Sequence, residues 1–374
     1  MRIFHVSDCY APRTGGIESQ VRDLARAQVR AGHQVHVLTA TVGPAGERAG
    51  TVQVDDGVQV HRLATRAALG LPVNPGAPPR VRSLLTELSP DVVHVHAGVV
   101  SPFAFDGARV ALGHGVPLAI TWHCMLDGVT PALRSVVRRS RWSHAPAALS
   151  AVSSAAAGRV GEVFEARVAV VPNGMDLDRW TPGPLHEPGP LRCVATMRLA
   201  PRKRGVALVD AVADAMTQLA PGSLTLDLVG DGPERASISR RVARRGLGAV
   251  VRLRGRLPRE DVREAYRSTD VFLAPAELEA FGIAALEARA AGLVVVARRG
   301  TGIEEFVTDG HDGLVVDDDA GLSRALVALA TRPRLLEELR SRARAERPVF
   351  DWQHAQEAAE REYARATALR AGPA

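Results

Sequence analysis

Short apolar runs alternate with amphipathic helical stretches along most of the chain; the rhythm breaks once, at a proline-rich segment, and then restarts. Residues 2–7 read as a buried strand, 10–16 as a Pro/Gly loop, 17–31 as an amphipathic helix stopped by Gly32, and 34–39 as a second strand. Further strands are expected near 92–96, 118–122, 149–152 and 168–171. Strands joined through helices run parallel, because a helical crossover brings the chain back to the end of the sheet where it started. Residues 181–190 place four prolines in ten positions, a composition suited to an inter-domain linker. Beyond it strands are expected near 192–196, 224–229, 250–254, 271–274 and 293–297. The fold class is α/β, with two Rossmann-like, doubly wound domains. Ligands are then expected at the carboxyl ends of strands, in a cleft where the domains face each other. Residues 64–80, rich in Pro and Gly, are expected to form a mobile rim.

Composition narrows the function. At 374 residues the chain exceeds one ordinary core, which supports two domains. Hydrophobic residues at 46% and charged residues at 24% exclude extensive disorder. A net charge of +6 and a pI near 10.0 admit nucleic acid, an anionic membrane or a polyanionic small molecule as partner. Aromatics at 4%, with no basic stretch interleaved with stacking side chains, count against nucleic acid. Cys9, Cys124 and Cys193 are odd in number and far apart, without the pairing of a zinc or redox centre, which fits a reduced cytoplasm. His5 and Asp8 interrupt the amino terminus before a signal core, and no apolar run reaches spanning length. A cytoplasmic protein, neither exported nor integral, is expected.

Of the 47 Lys and Arg residues only Lys203 is a lysine. A compact ammonium and a planar guanidinium substitute poorly for each other at a tight anion site, so this exception marks a candidate site, against the alternative of a chance surface lysine. Arg198 and Lys203 lie in Met-Arg-Leu-Ala-Pro-Arg-Lys-Arg-Gly, between a strand end and the helix expected near Gly205. Two cations there can hold a diphosphate without metal. A second motif, residues 275–288, contains Glu279, Phe281, Gly282, Ile283 and Glu287 and runs from a strand end into a helix. Helix initiation around 281–283 leaves unpaired N–H groups and a positive dipole end, suited to phosphate or hydroxyl oxygens. Glu279 and Glu287 are expected to accept bonds from sugar or ribose hydroxyls.

These motifs, with Gly15-Gly16, Val-Pro-Asn-Gly-Met-Asp at 171–176 and Gly-Asp-Gly-Pro-Glu at 230–234, occur in one order that resembles the retaining glycosyltransferases of family 4, group 1, with the GT-B fold. The resemblance covers about residues 2–316. It implies an acceptor-side domain at 1–180, a nucleotide-sugar-binding domain at 181–350, and a last helix at 351–374 crossing back to the first domain. It also implies that Arg198 and Lys203 bind the diphosphate and steady the leaving charge, that Glu287 holds ribose hydroxyls, and that Glu279 contacts the donor hexose. Backbone at Phe281, Gly282 and Ile283 would grip sugar and phosphate oxygens, and Gly255, Arg256 and Leu257 would frame the base. Gly16 would let its loop approach the diphosphate, and His123 would lie beside the transferred sugar. Ala276, Leu293 and Glu304 depart from residues usual in the family, and Arg204, between Lys203 and Gly205, is expected to shift the lysine loop slightly.

The implied reaction moves a hexose from a UDP- or GDP-linked sugar to an acceptor hydroxyl, with retention at the anomeric carbon and no cofactor or metal. The acceptor is a carbohydrate, a lipid-linked or a small molecule. Rival readings are a metal-dependent transferase using Asp176 and Asp178, or Asp317, Asp318 and Asp319; a same-fold epimerase or phosphorylase; and a non-catalytic basic protein that binds membranes. For the last, Arg134, Arg138, Arg141 and Trp142 are expected to share a helical face that is either solvated or docked peripherally on the inner face of an anionic membrane. Residues 94–96, His-Val-His, put two imidazoles on one side of a strand, with no third ligand evident and a structural role expected. Residues 351–370 read as a polar helix.

Overall fold

A computed structural model describes every residue except 14, 49, 66–73, 185–188, 373 and 374, with the main chain only at 141 and 143. The first part builds an eight-stranded sheet from β1 (Arg2–Ser7), α1 (Gly16–Arg30), β2 (Gln34–Thr39), β3 (Thr51–Asp55), β4 (Val58–Arg62), α2 (Ala77–Leu88), β5 (Val92–Ala97), α3 (Pro102–His114), β6 (Leu118–Trp122), α4 (Thr130–Arg138), β7 (Ala147–Ala151), α5 (Ser154–Phe164) and β8 (Ala169–Val170). The strand order is β3-β4-β2-β1-β5-β6-β7-β8, parallel except for the β3/β4 pair. Strands β5, β6 and β7 are buried along their whole length, as central parallel strands covered on both faces are, and their polar residues His94, His96, Thr121 and Ser150 bond within the interior.

The second part comprises β9 (Leu191–Thr196), α6 (Gly205–Met216), β10 (Leu224–Val229), α7 (Arg235–Arg244), β11 (Val251–Gly255), α8 (Arg259–Arg267), β12 (Val271–Ala274), α9 (Ile283–Ala290), β13 (Val294–Arg298), β14 (Gly313–Val316), α10 (Asp319–Thr331) and α11 (Pro333–Ala345). Its six parallel strands run β11-β10-β9-β12-β13-β14, the doubly wound order whose direction of progression reverses between β9 and β12. Leu191, Leu226, Leu228, Val271, Leu273, Val294 and Val296 form its core with the inner faces of the helices.

The chain divides into two compact units, Met1–Met175 with Phe350–Ala374, and Asp176–Val349. The division thus falls five residues before the boundary expected at 180/181. Helix α12 (Trp352–Ala371) returns to the first unit, against β5, β6, β7 and α1. Expected to be polar, it buries a stripe of Ala355, Ala358, Ala359, Glu362, Tyr363 and Ala366. The stripe is mostly alanine, whose small side chain adds little apolar signal but lets the helix lie close on Ile3, Val92, Ala119 and Ala148.

Three other expectations are corrected. β3 and β4 form an antiparallel hairpin that strand–helix alternation does not provide for; the signal present was Asp56-Gly57, both at positive φ (49° and 85°), the turn chemistry of a two-residue hairpin. β14 was also missed, a four-residue strand opened by a glycine. Of the loop expected at 64–80, residues 66–73 lie outside the described residues, and Ala77 onward is helix α2. Likewise residues 185–188 of the expected linker lie outside them.

Candidate functional site

The loop after β9 is held by the glycine turn after β10. Gly230 and Gly232 sit at φ 132° and 157°, and a Cβ on either would lie 1.8 Å from the Met197 carbonyl oxygen or 2.4 Å from that of Leu199. Only glycine permits this approach. In return Leu199 N–H donates to Asp231 O and Glu234 N–H to Leu199 O, both at 2.9 Å. Arg198, between these anchors, is exposed at the carboxyl end of the strand.

Pro201–Lys203 form one 3₁₀ turn, closed by Arg204 in the left-handed region (φ 57°). The Lys203 ammonium pairs with the Glu279 carboxylate from the loop after β12, each side chain about one-fifth exposed (19% and 20%). The two chemistry-bearing loops therefore meet where the strand order reverses. Arg204, expected to perturb this loop, instead ties it down: it bonds Asp319 at 2.5 Å and Glu277 at 3.1 Å. Arg298, from the end of β13, reaches the same two carboxylates at 2.7 and 3.2 Å and donates to Asp317 O at 2.8 Å. This crossed arrangement of two guanidiniums and two carboxylates fixes both loops. It went unread in the sequence because its members are up to 115 positions apart.

Phe281 is 2% exposed and packs on Phe306 at 5.5 Å, anchoring the start of α9. Gly282 follows at φ 90°, with Ile303 so close that a Cβ would lie 2.6 Å from its Cγ1. Leu286 N–H is bonded to Gly282 O (2.9 Å), so the N–H groups of the turn before it have no acceptor within the helix. Glu287 lies one turn on, 3.0 Å from Arg259, with its side chain 12% exposed. Burial pushes its carboxyl up to about 7, against the pull of Arg259. Gly255 ends β11 at φ 70° and accepts from Gly230 N–H at 2.8 Å; Arg256 is exposed and Leu257 half-buried. The second unit thus gathers Arg198, Lys203, Glu279, the 281–283 turn, Glu287 and residues 255–257 around the carboxyl ends of β9, β11 and β12.

Gly16 and His123 belong to the first unit. Gly16 is the exposed first residue of α1. His123 follows β6, half-buried, its Nε2 3.0 Å from His96 Nδ1. The absent third partner of residues 94–96 is corrected: His5, on the neighbouring strand β1, brings Nδ1 to 2.8 Å from His96 Nε2. His5, His94 and His96 form a compact buried cluster. A histidine 91 positions from His96, joined to the pair only through sheet order, left no local signal.

The acidic groups of the rival metal reading are engaged otherwise. Asp317 pairs with Arg299 at 2.6 Å, Asp318 caps α10 through Gly321 N–H at 2.6 Å, and Asp319 is held by Arg204 and Arg298. Asp176, which precedes a short 3₁₀ turn at 177–179, makes no capping bond and pairs with Arg179 at 2.7 Å. The expected arginine face is also broken: α4 ends at Arg138, residues 141–144 form a separate 3₁₀ turn, and Arg134 and Arg138 converge on Glu165. Among the described residues no helix is long and apolar enough to cross a membrane.

The family models for Glycosyltransferase Family 4 and Glycosyl transferases group 1 match residues 14–179 and 184–346. The chain is 29% identical to a glycogen synthase of Mycobacterium tuberculosis, over 94% of this chain and 92% of that protein. It is 27% identical to a GDP-mannose-dependent alpha-(1-6)-phosphatidylinositol monomannoside mannosyltransferase of the same organism, over 84% and 85%. In fold it matches Anabaena Alr3699/HepE in complex with UDP, with a TM-score of 0.74, 20% identity and coverage of 97% and 100%. Two consecutive family matches over two Rossmann-like units of the GT-B type place this chain in the family-4, group 1 glycosyltransferases.

Proposed function

We propose that the protein transfers a hexose from a UDP- or GDP-linked sugar to an acceptor hydroxyl with retention at the anomeric carbon, and that it does so without a metal ion. The observation that carries this reading is the single lysine of the chain, held against Glu279 beside the opening of α9, whose first N–H groups have no acceptor within the helix. Arg198 and Lys203 supply fixed positive charge for the diphosphate as its bond to the sugar breaks. The 281–283 turn donates to sugar and phosphate oxygens, and Glu279 accepts from a hexose hydroxyl while orienting the ammonium. Glu287 binds the ribose, main chain at 255–257 lines the base, and Gly16 and His123 act from the first unit. A relative named for GDP-mannose, and a fold neighbour solved with UDP, support a nucleoside-diphosphate donor. Carbohydrate and lipid-linked acceptors are consistent with the relatives' names.

The test is turnover of a panel of UDP- and GDP-sugars with and without acceptors, with chelator in a parallel arm. Consumption of donor that requires acceptor, yields an α-linked product from an α-linked donor and persists in chelator supports the proposal. Consumption without acceptor favours an epimerase, and loss of activity in chelator favours a metal. Lys203→Ala is expected to lower transfer about a thousandfold with the fold intact, the usual cost of removing one donor to a developing anion. Lys203→Arg is expected to be similarly impaired, since a guanidinium fork cannot occupy the ammonium's place against Glu279. Wild-type rates in either variant would remove lysine from the role.

A further inference from the structure

In the first unit an unbroken series of hydrogen bonds runs from a strand carbonyl to His123. Ser150 donates to Ile120 O at 3.2 Å and lies 2.8 Å from Thr121 Oγ1. Thr121 Oγ1 lies 2.7 Å from His94 Nε2, and His94 Nδ1 lies 2.9 Å from the Tyr363 hydroxyl on α12. Gln28 donates its amide to that hydroxyl at 2.9 Å and turns its carbonyl to His5 Nε2 at 2.7 Å. His5 Nδ1 meets His96 Nε2, and His96 Nδ1 meets His123 Nε2, at 2.8 and 3.0 Å. Ser150, Thr121, His94, Tyr363, Gln28, His5 and His96 are each at most 2% exposed, so no solvent competes for these bonds.

Such a series has a sense. Ser150 gives its one hydroxyl proton to Ile120, so it accepts from Thr121, and Thr121 then accepts from His94. A neutral imidazole has one donor and one acceptor, so His94 accepts from Tyr363, which accepts from Gln28. The Gln28 carbonyl can only accept, which puts the His5 proton on Nε2, that of His96 on Nε2, and that of His123 on Nε2 as well. The serine end sets this direction, and the Gln28 amide, with its nitrogen on Tyr363 and its carbonyl on His5, agrees with it. Asn173 also bonds to the His123 ring, but its amide can donate or accept and so imposes no sense of its own. Burial holds all four rings far below their ordinary range, which keeps each neutral. The three clustered histidines could also be taken for a metal site. Each of their six ring nitrogens already has a hydrogen-bond partner, so an ion would have to break bonds that are complete. His123, unlike the other rings of the series, is only half-buried.

We infer that Tyr363, Gln28, His5 and His96 are positioning residues that hold His123 as its Nε2–H tautomer, so that its Nδ1 is a hydrogen-bond acceptor for a hydroxyl of the transferred sugar. The sugar contact rests on the proposed function; the tautomer does not.

Histidine-labelled protein at neutral pH, read by long-range ¹H–¹⁵N correlation, is expected to show His123 protonated at Nε2 alone. Tyr363→Phe keeps the ring and its packing but deletes the acceptor that orients the Gln28 amide; a second His123 tautomer should appear, and kcat should fall about tenfold with donor KM nearly unchanged. His96→Phe should behave likewise, whereas His96→Gln, which offers an acceptor and a donor in the same order, should restore the single tautomer and most of kcat. An Nδ1–H or mixed His123 in the wild type overturns the inference without any variant having to fold. So does a tautomer that neither phenylalanine variant changes, or a mixed tautomer with undiminished kcat. If no nucleotide sugar is turned over at all, the functional reading fails separately, while the spectra still decide the hydrogen-bond chain.

Discussion

Glu287 is the carboxylate of the proposed donor site whose chemistry burial alters. Its carboxyl rises from 4.5 to about 7 because it sits in a nearly closed environment with only Arg259 opposing the desolvation. A raised acid favours the protonated fold: the stability it contributes is full below about 4.5 and fades as pH climbs through about 7. Binding has the opposite sign, because only the carboxylate accepts from two ribose hydroxyls. Nucleotide affinity, measured by titration calorimetry with UDP and GDP, is therefore expected to rise between about pH 6 and pH 8, and Glu287→Gln should remove that part of the rise. Equal slopes in the two proteins would take Glu287 out of the ribose site. The importance of Lys203 was legible because one lysine among so many arginines is a compositional exception. Its pairing with Glu279 was not, since 76 residues of chain separate them.

At the level of elements, two glycine-dependent turns carry the proposed site: 230–232 grips the Arg198 loop, and 282 opens α9. Gly282→Ala must hold a side chain at φ 90° and push a Cβ toward Ile303. A left-handed non-glycine residue costs about 1–3 kcal/mol, so the melting temperature should drop by several degrees. The shift of the α9 opening should weaken nucleotide binding by more than the stability loss accounts for; unchanged affinity would separate that turn from the donor. Helix α12 offers a second test, because its alanine stripe leaves no room over the sheet. Ala359→Leu is expected to cost about 1–3 kcal/mol by overpacking, read as a lower urea midpoint. Most elements were legible from periodicity. The hairpin and β14 were not, since both are short and the parallel rhythm does not require them, and the buried face of α12 was hidden because alanine packs well yet scarcely registers as hydrophobic.

Across the whole molecule, ionisable burial is unevenly shared. His5, His36, His61 and His123 are held near about 4, and His94 and His96 well below their ordinary value, all in the first unit. A base with a depressed folded value binds its proton only on unfolding, so its contribution is whole above about 6.5 and is lost as pH falls toward about 4. Each adds up to about 1.4 kcal/mol of destabilisation per pH unit in that window. Amide exchange at about pH 5, corrected for intrinsic rates, should thus loosen residues 1–175 well before 176–349; simultaneous loosening would show that the buried imidazoles do not govern acid stability. By itself the sequence determined the two α/β units, their parallel sheets and the motifs of the proposed donor site, because hydrophobic period, turn chemistry and loop position are local properties. Only the tertiary structure decided which groups pair: Lys203 with Glu279, Arg204 and Arg298 across Glu277 and Asp319, and the series joining Tyr363 to His123. The reason is physical. Hydrogen bonds and ion pairs act over about 3 Å, and strand order brings to that distance residues the chain holds far apart.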